Sequence, residues 1–152
     1  MSLADRKIVF LFPGQGAQYE NMGSELIENN PVYAAAKEVL SEEVFEVIRE
    51  GKKEALEKTK YCQPAIFLNS LALYFEFKKA ITGYDMADGT DVDAVFKSPL
   101  SDVPAAMIGL SLGEYTALCA GGKISLSQAI ELVNTRGNIM SKGVQGKGAM
   151  IA

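Results

Sequence analysis

The tightest constraint in this sequence is Gly109-Leu110-Ser111-Leu112-Gly113, set between an apolar run and a helical one. Residues 105–110 are apolar and small, which reads as a strand. Residues 112–120 read as a helix, stopped by Gly121-Gly122. A strand that turns directly into a helix at one serine forces that serine into an unusual backbone conformation. Glycines two residues to either side relieve the crowding, and the hydroxyl is left exposed at the start of the helix. The strand and helix signals point to a mixed α/β chain, although the five-residue pattern by itself also fits a chance strand–turn–helix built on small residues.

The rest of the chain fits that class. Residues 7–12 are β-branched and aromatic, and Pro13-Gly14 ends them, so a second buried strand is expected there. A glycine-spaced loop, Gly14-Gln15-Gly16, follows. Residues 22–58 read as several short helices, with Pro31 opening one and Gly51 between two others. Residues 64–79 are apolar nearly all round and predict a helix buried on several sides, with Pro64 in its first turn. Ser125-Leu126-Ser127-Gln128 is a capping box. It opens a helix ending near Gly143, with Leu126, Ala129, Ile130, Val133 and Met140 on one face. Residues 148–152 read as the start of a third strand.

Residues 82–104 hold two prolines, two glycines and five aspartates and read as an exposed loop or insertion. Asp85, Asp88, Asp91 and Asp93 lack the spacing and closing glutamate of a calcium loop, so a solvated acidic loop is the expectation.

Composition removes other classes. The 152 residues suffice for one domain, and the net charge of −4 gives no basic face for nucleic acid. No apolar run reaches the length of a membrane span. Cys62 and Cys119 show no metal-ligand spacing and no disulfide framework. A reduced, cytoplasmic protein with no metal and no cofactor is expected.

The serine pattern points to nucleophilic chemistry, with the Leu112 amide at a helix N-terminus suited to a developing oxyanion. Histidine, the usual base for such a serine, is absent from the chain. Arg136 stands at the edge of an apolar stripe among Leu132, Val133, Ile139 and Met140 and has no acidic neighbour at helical spacing. It requires an anion from elsewhere, either a substrate carboxylate or a distant Asp or Glu in a structural ion pair. The Gly-Gln-Gly loop is a tight turn on its own evidence, and it fits neither a Walker A nor a dinucleotide fingerprint. Cys119 is expected in the core and Glu114 as a first-turn dipole partner.

Five segments taken together resemble one family in order. Phe10–Gln18 resembles the opening motif of the malonyl-CoA:acyl-carrier-protein transacylases. Cys62-Gln63-Pro64-Ala65 resembles the start of their next marked helix, and Gly109–Ala117 resembles their nucleophile elbow. Arg136-Gly137 with Met140 resembles their arginine motif, and Gly148-Ala149-Met150 the segment after it. Acyltransferase domains of fatty-acid and polyketide synthases share most of these motifs.

The resemblance implies malonyl transfer from coenzyme A to the phosphopantetheine thiol of acyl carrier protein through a serine ester. Ser111 would be the nucleophile, the backbone amides of Gln15 and Leu112 the oxyanion hole, and Arg136 the holder of the malonyl carboxylate. The partners implied are malonyl-CoA, as a thioester substrate, and acyl carrier protein. The resemblance covers roughly the first half of a complete member. It implies that residues 1–152 are the amino-terminal part of a single acyltransferase domain. That part is an incomplete α/β-hydrolase-like large subdomain, with the ferredoxin-like small subdomain missing.

Two departures stand out. Leu110 occupies a position where the family usually has histidine, although that histidine is not the base. The family's catalytic histidine lies beyond Ala152. Strands normally covered would then show exposed faces, and self-association or a complementing second half is expected. Two other readings stay open, a non-catalytic binding or interaction module on the same scaffold and a serine esterase with another base.

Overall fold

The computed structural model describes residues 8–82, 91–98 and 106–143. Two short strands, β1 (Val9–Phe12) and β2 (Ala106–Gly109), pair in parallel, with Leu11 opposite Ile108 and Phe12 opposite Gly109. Between them the chain forms α1 (Pro31–Val39), α2 (Glu42–Glu50), α3 (Lys53–Leu56), α4 (Thr59–Thr82) and α5 (Val92–Lys97). After β2 come α6 (Leu112–Ala120) and α7 (Leu126–Gly143). The architecture is mixed α/β.

Local chemistry places most of these boundaries. Asn30 caps α1, its side chain accepting from the Val32 amide at 3.0 Å, and Pro31 takes the first helical position. α2 ends at Gly51, which sits in the left-handed region at φ 62°. The expected capping box closes at both ends. Ser125 Oγ accepts from the Gln128 amide at 3.3 Å, and Gln128 Oε1 accepts from the Ser125 amide at 3.3 Å.

α4 is the spine of the core. Residues 61–69 are all buried, as are Leu71, Ala72, Tyr74 and Phe75. It starts earlier than the sequence suggests, so Pro64 lies inside the helix rather than in its first turn. The Tyr61 and Cys62 amides both reach the Lys58 carbonyl at 2.9 Å, which starts the helix upstream of the proline. Pro64 then leaves the Lys60 carbonyl without its usual donor. α7 crosses at this point, and a Cβ on Gly137 would lie 3.3 Å from the Thr59 carbonyl oxygen.

The strands are covered on one face only. Phe10 meets Tyr74 and Phe77 of α4 edge-on, at ring separations of 5.2 and 5.0 Å. Parallel partners in register share a face, so Val9, Leu11 and Ile108 point the other way, and Leu110 continues that row. Leu11 is 74% exposed and Leu110 75%. The expectation of two fully buried strands is therefore corrected, whereas the expectation of an exposed strand face holds.

The 82–104 segment is also corrected, because part of it is helix. Asp91 caps α5, its Oδ1 accepting from the Asp93 amide at 2.9 Å. Val92, Val95 and Phe96 bury one face of that helix. Lys78 of α4 is itself buried and donates to the carbonyls of Val95, Phe96 and Ser98, the last at 2.8 Å. Burial pushes its pKa down. Asp93 Oδ1 accepts from the Leu126 amide at 2.7 Å and so caps α7. The aspartates at 85 and 88, and the strand expected at 148–152, lie outside the described residues.

Candidate active site

Ser111 sits between β2 and α6 with φ 53° and ψ −99°, a conformation that costs a residue with a Cβ on the order of 1–3 kcal/mol. Packing imposes it. A Cβ on Gly109 would lie 1.9 Å from the Gly113 carbonyl carbon, and one on Gly113 would lie 2.2 Å from the Phe12 carbonyl oxygen. The turn is so tight that both flanking positions exclude any side chain. Ser111 is exposed, and Leu112 behind it is fully buried.

The loop after β1 lies against this turn. A Cβ on Gly14 would lie 2.8 Å from the Leu110 carbonyl oxygen, so the backbone preceding Gln15 abuts the residue preceding Ser111. Gln15 turns its side chain away, Nε2 donating to Thr59 Oγ1 at the start of α4 at 3.2 Å. Its Oε1 is buried without a hydrogen-bond partner. The Leu112 amide occupies the first helical position of α6, where an amide has no intrahelical acceptor.

Arg136 comes from the middle of α7 and reaches α4 and the start of α6. Its Nη2 donates to Ser111 Oγ at 2.7 Å, and its Nη1 donates to Gln63 Oε1 at 2.7 Å. The guanidinium carbon lies 5.7 Å from the centre of the Tyr115 ring on α6. Among the described residues no carboxylate pairs with it. The structural ion pair considered from sequence is therefore replaced by a neutral amide. The apolar surround is also looser than expected, since Leu132 and Ile139 are exposed.

Gln63 is the member of this group that sequence reasoning passed over. It is fully buried on α4, and its Nε2 lies 3.2 Å from the Met140 sulfur. A buried carboxamide in an apolar helix must be satisfied, and that was the available signal. Cys62 donates to Gln18 Oε1 at 3.1 Å, and burial pushes its thiol up to about 11. Cys119 is core, with its thiol pushed up to about 12 by burial and then by the charge of Asp93. Glu114 is exposed in the first turn of α6. No cluster of metal-ligating side chains occurs among the described residues, and none of their helices is long and apolar enough to cross a membrane.

The family model for the acyl transferase domain matches residues 9–84, which is half of the chain. The chain belongs to the acyl transferase domain family. It is 36% identical over 151 residues to the malonyl CoA-acyl carrier protein transacylase of Bacillus subtilis, covering 96% of this chain and 41% of that protein. An acyl carrier protein S-malonyltransferase from Vibrio cholerae superposes with a TM-score of 0.67 at 33% identity, covering 91% of this chain and 40% of that one. A malonyl-transacylase solved in complex with its type II polyketide acyl carrier protein superposes with a TM-score of 0.68 at 32% identity, covering 91% and 40%. This acyl transferase chain thus spans about two fifths of the length of the relatives it matches, within their amino-terminal portion.

Proposed function

We propose that this chain carries the nucleophile-bearing portion of a malonyl-CoA:acyl-carrier-protein transacylase, within part of an α/β-hydrolase-like large subdomain. The observation that carries this reading is the 2.7 Å contact between Arg136 Nη2 and Ser111 Oγ. A carboxylate seated on that guanidinium would hold the rest of a short acyl group beside the hydroxyl. The reacting thioester carbonyl of a malonyl group lies one methylene from its carboxylate, which suits that span.

In this reading Ser111 Oγ attacks the thioester carbonyl and forms the serine ester as coenzyme A leaves. The amides of Gln15 and Leu112 receive the oxyanion, and the thiol of the carrier protein's phosphopantetheine then takes the acyl group. The planar fork of Arg136 binds a carboxylate bidentately, with charge-assisted hydrogen bonds about twice as strong as neutral ones. No cofactor is required. The absence of histidine leaves Ser111 without the usual base. In another serine–histidine enzyme, loss of the histidine costs about a million-fold in turnover. The 152-residue chain alone is therefore expected to bind malonyl-CoA without useful turnover.

Calorimetric titration with malonyl-CoA and acetyl-CoA tests the reading. Arg136→Ala should weaken malonyl-CoA binding far more than acetyl-CoA binding, and equal losses would sink the carboxylate assignment. The hydrogen bond from Arg136 that occupies the Ser111 hydroxyl also fits a second reading, a non-catalytic module that binds malonyl-CoA or the carrier protein. Adding a histidine-bearing carboxyl-terminal portion of a relative separates the two, because only the first reading expects transfer to appear.

A further inference from the structure

We propose that Arg136 is a latch on Ser111, released by the carboxylate of the acyl group it selects. This rests on the reading that Arg136 receives that carboxylate. The structure holds the guanidinium with its two terminal nitrogens on different partners, Gln63 Oε1 through Nη1 and Ser111 Oγ through Nη2, each at 2.7 Å. A guanidinium only donates, so the contact with Ser111 occupies a lone pair on the hydroxyl oxygen. Attack on a carbonyl needs an oxygen lone pair, and a hydrogen bond from a full cation draws electron density away from it. In this arrangement the serine is exposed to solvent and restrained at the same time.

The two partners of Arg136 differ in kind. Gln63 is fully buried and is itself held against Met140 at 3.2 Å, so the Nη1 side of the fork is anchored. Ser111 is a neutral acceptor at the surface. No carboxylate among the described residues competes for the free side of the fork. A carboxylate arriving from solvent is the stronger acceptor and offers two oxygens, so it displaces the hydroxyl from Nη2. An acyl group without a carboxylate leaves the latch closed. Selectivity then has two sources, tighter holding of the right acyl group and freeing of the nucleophile only in its presence.

The test is covalent labelling of Ser111 by an alkyl fluorophosphonate, followed by intact mass. In this reaction the Oγ–P bond forms, the P–F bond breaks, fluoride leaves and the hydroxyl proton passes to buffer. The latch predicts that Arg136→Met labels about tenfold faster than the parent chain, the scale of one hydrogen bond to a charged group. If that variant does not fold, Arg136→Gln decides by the same measurement, because glutamine keeps a polar side chain but removes the cation. Slower or equal labelling overturns the latch, since Arg136 would then be activating or indifferent. A crystal structure with malonate supplies the second arm, with Nη2 on malonate and beyond about 3.5 Å from Ser111 Oγ. Malonate seated on Arg136 with the serine contact intact also overturns it. Malonate that does not bind Arg136 removes the underlying functional reading instead, and the labelling rates still report whether the contact restrains Ser111.

Discussion

Gln63 Oε1 accepts from Arg136 Nη1 at 2.7 Å, joining a fully buried residue of α4 to a half-exposed one of α7. The neutral amide holds the guanidinium without cancelling its charge, which remains available to a ligand. Gln63→Glu would place a carboxylate on the same nitrogen and spend that charge internally. Malonyl-CoA affinity should fall by about tenfold, the worth of one charged hydrogen bond. Gln63→Leu should lower it less, because it removes the anchor and leaves the cation. Calorimetric titration of both variants checks the order, and a Glu variant that binds as well as the parent would contradict it.

Gly113 is closed to any side chain, because a Cβ there would lie 2.2 Å from the Phe12 carbonyl oxygen. Relief requires β1 to move away from α6, and the loop bearing Gln15 moves with it. Gly113→Ala should destabilise the chain by about 2 kcal/mol or more, at the upper end for ordinary single substitutions. Urea unfolding at neutral pH measures this, with Gly143→Ala as the control, since nothing lies within 4 Å of a Cβ at Gly143.

Alkaline conditions should weaken the fold. Burial pushes the Cys62 thiol up to about 11, and the Cys119 thiol and the Tyr74 phenol up to about 12, while Tyr33 is raised further still. These acids stay neutral when folded and ionise near 9 to 10 when unfolded. Their contribution is fully present below the unfolded values and is lost as pH rises through the folded ones. Lys78, with its pKa pushed down, acts in the opposite sense but is one group against four. Urea midpoints should fall steadily from pH 8.5 to 11, and a flat profile would contradict the burial of these groups.

Val9, Leu11, Ile108 and Leu110 form an exposed apolar row on the uncovered face of the strands. Contiguous apolar surface on a strand pair adheres to its like. Sedimentation of the parent chain should show concentration-dependent self-association. Leu11→Lys combined with Ile108→Glu places opposite charges on paired positions and should restore the monomer. A parent that sediments as a monomer at all concentrations would show the row to be inert.

Features set by near neighbours were legible in the sequence. Asn30-Pro31, Gly51, the Ser125–Gln128 box and the glycines around Ser111 act within a few residues, and the structure places them as their chemistry requires. Features settled by distant contacts were not. The first turn of α4 lies under α7, where a Cβ on Gly137 would come within 3.3 Å of the Thr59 carbonyl oxygen. α5 exists because Val95 and Phe96 find α4, where Lys78 gathers their carbonyls. At the site, Arg136 was visible as a cation without a local partner, but Gln63 lies on another helix, and no spacing rule joins the two.

The Asp93–Leu126 hydrogen bond gives the acidic segment a part in the site that its composition hides. Anyone trimming the chain to a minimal scaffold would choose 82–104 first, as surface rich in glycine, proline and aspartate. That cut leaves the Ser125–Gln128 box but removes the carboxylate that caps the first amide of the helix carrying Arg136, along with the carbonyls gathered around Lys78. The shortened protein would keep every residue of the candidate site and loosen the footing of the helix that aims its arginine.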